Sequence, residues 1–349
     1  MEPRSRRRRS SPFALGDGAV TLDMVAQAAG VSTSTVSRIL NGSATVSAAK
    51  QQAVQEAVRH LGFRPNPVAR GLAGGRTMSI GVVTQTMSSP FYGEALNGIE
   101  HELAGVGYIP LFVSGMWSEA GERHALDALM ARRVDGVIVL AGCLGNEALS
   151  EFAQHLPMVV VGRADGAPRL FSLAFDNRAG ASLATRHLLD AGHRRIAHIT
   201  GNLAQEDGPQ RLAGYHEALA AAGVAWDPDL VVEGNFTEAS GQHAVQHLLD
   251  SGLDFSAIFA ANDQMAIGAA LALYRRGLRV PDDVSLVGFD DLAPAQYAIP
   301  PLTTIRQSVY QMGRQAAAAV LDLLHGRTPH VNLPQPQLVL RESTRPLHA

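Results

Sequence analysis

Short hydroxyl and amide side chains gather around a single guanidinium near the amino end: Ser32, Thr33, Ser34, Thr35, Ser37, Asn41 and Ser47 surround Arg38. Such groups bond phosphate oxygens and the edges of bases rather than breaking bonds. A second set is scattered through the remainder. Phe91 lies in Ser88-Ser89-Pro90-Phe91-Tyr92, Arg163 follows Gly162, and Arg211 opens a helical stretch after a long loop. Phe236 sits in Glu233-Gly234-Asn235-Phe236, while Asn262-Asp263 and Asp290-Asp291 each follow an apolar run. A carboxylate takes hydroxyl protons, Asn donates and accepts, Arg offers a rigid fork, and an aromatic face covers the C–H side of a pyranose. This set suits a sugar or a similar small polar metabolite.

The first set needs a helix to present it. Three short helical patterns run between Thr21 and Gly62. The first spans Leu22 to Ala29, with Thr21 as cap, Asp23 in the first turn and Gly30 at the stop. Ser32 caps the second, which runs through Leu40 to Asn41-Gly42, and the third opens after Ser47 and closes at Gly62. At about 100° per residue, Thr33, Ser37, Ser34 and Arg38 of the second helix fall at about 0°, 40°, 100° and 140°. Ile39, Val36 and Leu40 fall at about 240°, 300° and 340°, so one face packs and the hydroxyl face is free. A helix, a turn at Gly30 and a second such helix make a helix-turn-helix, whose free face suits a major groove. The hydroxyls of Ser32 and Ser47 fit a cap as well as a phosphate.

After this head comes Arg64-Pro65-Asn66-Pro67, then Val68 to Ala73 and Gly74-Gly75-Arg76: a segment too short to hold as a helix without a partner. From Met78 onward short apolar runs alternate with helical stretches, at 79–83, 109–113, 134–140, 158–162, 195–199, 230–232, 257–260 and 284–289. That alternation predicts parallel sheets covered by helices. Eight or more strands suit two sheets better than one, and a ligand cleft then lies outside the carboxyl ends of the strands.

Composition limits the function classes. The 349 residues are 46% hydrophobic and 17% charged, and no apolar run approaches the roughly 20 residues of a membrane span. Cys143 is the only cysteine, which excludes disulfide stapling and suits a reducing cytoplasm. Up to Arg76 the chain carries eleven Lys and Arg against four Asp and Glu; beyond it, acidic residues exceed basic ones by ten. The basic head points to a polyanion partner and the acidic body does not. Arg6 to Arg9 lead into no apolar stretch, so residues 1–19 read as a disordered basic tail rather than an export signal. Enzyme readings fare poorly: no glycine-rich phosphate loop, nucleophile elbow or His-Glu-x-x-His motif occurs. The only lysine, Lys50, is in the head, leaving the body no amine for a Schiff base. His193 and His198 flank a strand, where satisfied or exposed imidazoles are commoner than ligands. Neither a metal site nor a cofactor is expected.

The stretch Thr21-Leu22-Asp23-Met24-Val25-Ala26, with Ala29-Gly30-Val31-Ser32 through Arg38-Ile39-Leu40-Asn41-Gly42, resembles the signature of the lactose-repressor (LacI/GalR) family of bacterial transcriptional regulators. The body carries further family-like runs: Arg211-Leu212-Ala213-Gly214-Tyr215, Ala261-Asn262-Asp263-Gln264-Met265, Gly288-Phe289-Asp290-Asp291, Pro301 to Gln307 and Arg341-Glu342-Ser343-Thr344. The resemblance implies a small all-α head at 20–66, a hinge at 67–76 and a two-lobed, periplasmic-binding-protein-like α/β core of two parallel sheets at 77–345. The chain would cross between the lobes near Phe175, Pro300 and Pro334. By the same resemblance Thr33, Ser34 and Arg38 reach base edges, while Ser32, Thr35, Ser37, Asn41 and Ser47 hold phosphates. Leu72 would wedge into the minor groove when two hinges pack on DNA; otherwise it caps the next domain. The effector contacts fall on Arg211, Asn262 and Asp290, with Phe91, Arg163 and Phe236 beside them. Asp263 is open between capping its helix and ligation, and Asp290 between ligation and bracing a loop. The implied protein is a cytoplasmic homodimer on double-stranded operator DNA, a repressor controlled by a sugar-like effector. An activator, a solute-binding receptor and a sugar-acting enzyme are the competing readings.

Overall fold

The computed structural model describes residues 20–40, 46–63, 76–163 and 169–347. The tail at 1–19, Asn41 and the hinge through Gly75, with Leu72, lie outside the described residues. The chain divides into two compact units, one ending at Thr77 and one beginning at Met78.

The head holds α1 (Leu22–Ala29), α2 (Thr33–Leu40) and α3 (Ala48–Leu61). Thr21 Oγ1 accepts from Met24 N at 3.3 Å, starting α1. Gly30, at φ 62°, stops it by turning left-handed and donating to the carbonyls of Ala26 and Gln27. Val25, Ala26, Val36, Val54 and Ala57 form the buried centre, so each helix contributes one stripe to a core none could make alone. Each buried valine contributes roughly 1.5–3 kcal/mol of burial.

In the body, β1 (Ser79–Thr84), α4 (Pro90–Ala104), β2 (Ile109–Ser114), α5 (Glu119–Ala131), β3 (Gly136–Leu140), α6 (Asn146–Ala153), β4 (Met158–Val161) and β5 (Leu170–Leu173) build the first lobe. Its sheet is wholly parallel in the order β2-β1-β3-β4-β5. The second lobe follows with α7 (Asn177–Asp190), β6 (Ile196–Thr200), α8 (Asp207–Ala221), β7 (Val231–Glu233), α9 (Glu238–Asp250), β8 (Ala257–Ala260) and α10 (Asp263–Arg275). It continues with β9 (Ser285–Asp290), α11 (Ala293–Tyr297) and β10 (Thr303–Arg306). α12 (Val309–Leu324) then returns to pack on α4, β3 and β4, before β11 (Gln337–Val339) rejoins the second sheet. That sheet runs β11-β10-β9-β8-β6-β7, and β11 lies antiparallel to β10, so the expected pair of parallel sheets carries one reversed edge strand.

Both sheets are covered on both faces, which is why β1, β3, β4, β6, β8 and β9 are almost continuously buried. Helix pairs close over them at backbone contact. A Cβ on Gly98 of α4 would collide with Tyr310 O of α12, and one on Gly313 of α12 with Ala95 O of α4.

The chain leaves the first lobe between β5 and α7, returns between β10 and α12, and leaves again before β11. The second passage therefore falls at Gln307–Ser308, not near Pro300: the Pro301-Leu302 run leads into β10, which pairs with β9 before the chain can cross.

Candidate functional site

On α2, Val36 is fully buried and Ile39 and Leu40 are half-buried against the head's core. Thr33 and Ser37 are half-buried, and Ser34 and Arg38 are exposed. Ser32 serves as the cap: its Oγ accepts from Thr35 N at 3.3 Å and pairs with the hydroxyls of Ser34 (2.9 Å) and Thr35 (2.8 Å). Ser47 differs. Its carbonyl accepts from Lys50 N and Gln51 N at the start of α3, yet its exposed hydroxyl makes no cap bond. The helix thus offers a polar stripe at an N-terminus whose amides favour anions.

In the body a cleft of about 440 Å³ opens between the lobes, walled by the carboxyl ends of β1, β3, β4 and β9 and the segments just after β6 and β8. Phe91, Arg211, Phe236, Asn262 and Asp290 all line it. Arg211 is buried and held on every side: Nε donates to Asn177 Oδ1 at 2.8 Å, Nη1 donates to Ala261 O, and the guanidinium lies 3.9 Å from the Phe289 ring centre and 5.8 Å from that of Phe236. Its Nη1 is 3.9 Å from Asp290 Oδ1, and Gln307 Nε2 donates to that same oxygen. Asn177 Nδ2 donates onward to Asp207 Oδ1 at 2.9 Å. One continuous polar network therefore runs Asp207, Asn177, Arg211, Asp290, Gln307.

Burial dominates its electrostatics. It pushes Asp290 up to about 7 against the opposing pull of Arg211 and Gln307. Asp207 is raised for the same reason, with Arg211 and Asn177 opposing. The Tyr92 phenol is held well above its usual range by burial and by Asp207 and Glu122. Gln307 Oε1 is buried and finds no partner among the described residues. A buried acceptor left unpaired costs about 1–3 kcal/mol, so a hydroxyl donated to it from the cleft would recover that loss. Asp290 also holds φ at 119°, a strained backbone placed at the cleft wall.

Asn262 does two structural jobs here. Its Oδ1 accepts from Met265 N at 2.8 Å, capping α10, and its Nδ2 donates to Phe236 O at 3.0 Å, fixing the loop that carries the Phe236 ring. It keeps one donor and one lone pair for a ligand. The cap expected of Asp263 therefore belongs to Asn262. Asp263 instead accepts from Leu292 N (2.9 Å) and Thr304 Oγ1 (2.5 Å), tying α10 to the loop after β9 and to β10. Burial and the neighbouring Asp290 push its carboxyl well above the ordinary range.

Arg163 does not join the others. Its Nη2 donates to Gly142 O at 2.8 Å and Nη1 to Asn146 Oδ1 at 3.2 Å, which places it on the wall of a separate, adjoining chamber. Sequence reasoning also missed Asn177, Asp207, Gln307, Tyr92 and Trp117, all of which line the cleft. Asp207 had a readable signal, since it precedes Arg211 by one helical turn. His193 and His198 are buried and bonded, to Ser256 and Arg345 O and to Phe259 O respectively. Among the described residues no group of three or more His, Cys, Asp or Glu could hold a metal ion, and no helix is long and apolar enough to cross a membrane.

Comparison with known proteins agrees at both ends of the chain. Residues 21–66 match the family described as bacterial regulatory proteins, lacI family, and residues 185–344 match a periplasmic binding protein-like domain. The chain is 37% identical over 326 residues to the HTH-type transcriptional regulator GalR of Escherichia coli strain K12, covering 93% of this chain and 95% of that protein. It is similar to the Lac repressor dimer bound to operator and the anti-inducer ONPF, at TM-score 0.86 and 32% identity, over 94% of this chain and 99% of that one. A transcriptional regulator CelR–cellobiose complex matches at TM-score 0.70 and 36% identity, over 93% and 99% of the two chains.

Proposed function

This chain belongs to the lacI family of bacterial regulatory proteins, and from that premise we propose a repressor that grips operator DNA through α2 and releases it according to a small polar ligand in the cleft. The observation that carries the reading is the division of α2: Val36 is locked into the head's core while Ser34 and Arg38 stand exposed on the opposite side. A guanidinium there bonds the O6 and N7 of a guanine, and the hydroxyls of Thr33 and Ser34 meet neighbouring base edges. Thr35, Ser37, Asn41 and Ser47 hold phosphates and set register, with Ser32 doing so through the helix N-terminus it caps.

Two protomers present two such helices, so the operator is near-palindromic, with half-sites spaced by the helical repeat. The hinge at 67–76 joins head to body, with Leu72 as its minor-groove wedge. The effector in the cleft is an uncharged sugar. Among the described residues Arg211 is the one basic residue lining the cleft, and its Nε and Nη1 are already bonded to Asn177 and Ala261, so the wall offers little to a phosphorylated or acidic ligand. Ser89 Oγ of the first lobe donates to Gln264 Oε1 of the second at 2.8 Å across the mouth, a contact that lobe closure strengthens or breaks. The ligand moves operator affinity only by its differential affinity for the two arrangements. The work is done in the cytoplasm, where the DNA is, and needs no cofactor.

The test selects duplexes from a random library with the full chain and compares Arg38→Ala on the enriched sequence and its point variants. A near-palindromic consensus should emerge, and the variant should lose about 1–3 kcal/mol at one base position per half-site. Equal loss on every sequence would reassign Arg38 to phosphate, and no enrichment at all would overturn the repressor reading.

A further inference from the structure

The adjoining chamber that holds Arg163 has a volume of about 740 Å³ and shares Trp117, Gln205, Asn235 and Thr237 with the cleft already described. The two chambers adjoin along those four residues. Their chemistry differs: the inner chamber is walled by Phe91, Tyr92, Phe175 and Phe236, whereas Trp117 is the one aromatic residue lining the outer chamber. The outer wall also carries the polar side chains of Asn146, Asn202, Arg163, Glu119 and Glu206.

Trp117 is held in place at a cost. Met116 and Trp117 both adopt φ of 53°, a left-handed conformation that penalises any residue with a Cβ. Trp117 N donates to Gln85 Oε1 at 3.2 Å, and Gln85 is itself buried, its Nε2 donating to Glu122 Oε1 (2.8 Å) and Ala141 O (2.9 Å). The indole meets the edge of Tyr92 at 6.1 Å between ring centres, yet it remains 38% exposed. A large apolar ring on a backbone anchored by a buried amide, braced on one side by the Tyr92 edge and left partly uncovered where two chambers adjoin, is a stacking platform.

We propose that the cleft takes a neutral disaccharide, one ring among the inner aromatic residues and the second in the outer chamber with its C–H face on the Trp117 indole. The inference rests on the sugar reading of the cleft and adds the length of the ligand. Two acids against one already bonded Arg163 suit hydroxyls rather than phosphate in the outer chamber as well. The second ring also explains why Arg163 is a wall of the same ligand site without touching the network around Arg211.

The experiment is calorimetric titration of the full chain with glucose, galactose, mannose and xylose, and with disaccharides built from them: cellobiose, maltose, trehalose, lactose, melibiose, mannobiose and xylobiose. At least one disaccharide should bind tenfold or more tighter than each of its component sugars. W117A should cut that excess to threefold or less, weakening the disaccharide by a clearly larger factor than it weakens either component sugar. W117F, with a smaller ring, should fall between the two and carries the same test if W117A does not fold. A monosaccharide that binds as tightly as its disaccharides, or a substitution that weakens both by the same factor, overturns the second-ring assignment and leaves the sugar reading standing. Binding by none of the eleven overturns both.

Discussion

Replacing His198 with glutamine should abolish a loss of stability that the natural chain suffers as pH falls below neutrality. His198 lies on β6, wholly buried, with its ring stacked between Tyr215 at 4.8 Å and Phe259 at 4.6 Å. Its Nδ1 donates to Phe259 O at 2.9 Å, while Nε2 is buried with no partner among the described residues. Burial therefore disfavours the imidazolium and holds the ring's pKa down at about 3, against 6.5 in the unfolded chain. Between those values the unfolded state binds the proton and the folded state does not, so stability is complete above pH 6.5 and drains away as pH falls. At about 1.36 kcal/mol per unit, the loss reaches about 2 kcal/mol at pH 5. Burial lowers His187, His193 and His216 too, giving the same sign, whereas the raised Asp207, Asp263 and Asp290 carry the opposite one. Only a difference between two proteins isolates one ring. Urea unfolding at pH 7 and pH 5, followed by the emission of Trp117 and Trp226, both in the body, supplies it. H198Q carries no group that titrates in this range and should change by about 2 kcal/mol less between the two pH values. Equal changes in both proteins would refute the argument, because the imidazole would then be charging inside the fold.

Two structural consequences can be checked in the same way. Asn262→Ala removes the cap of α10 and the tie to Phe236 O, and should cost about 1–2 kcal/mol in urea unfolding with no ligand present; an unchanged midpoint would mean Asn262 is only a ligand contact. Gly313→Val forces α12 off α4 where the backbones touch, and should cost about 1–3 kcal/mol or more, read as a lowered melting temperature; full stability would show that the helix pair separates freely.

Local physics made much of the fold legible. The ends of α1 are written by Thr21 and Gly30, whose roles depend only on neighbours within a turn, and the strands of both cores are apolar runs that need no context. The strands β5, β10 and β11 escaped notice because they are short, mixed in polarity and placed at or beside sheet edges. The motifs that carry the resemblance pointed to Arg211, Asn262 and Asp290, and all three line the cleft. What those motifs could not reveal is that Asn262 rather than Asp263 caps the helix: one step along the chain swings a side chain from the first amides of α10 to the loop after β9.

The sequence by itself determined a helix-turn-helix head, a two-lobed α/β body and the character of each working surface, because caps, periodicity and residue chemistry act over a few residues. Tertiary structure alone decided the partition of the cleft. Asp207 and Arg211 of α8, Asn177 of α7, Asp290 at the end of β9 and Gln307 after β10 come from four places spread over 131 positions and meet only when the second lobe's sheet brings their elements together. Arg163 was likewise assigned to the outer chamber by the direction its fork takes toward Gly142 O, and Trp117 to the junction by a left-handed turn that no propensity favours. Distances between such groups are set by packing between elements far apart in sequence, and packing has no signature in the spacing of residues along a chain.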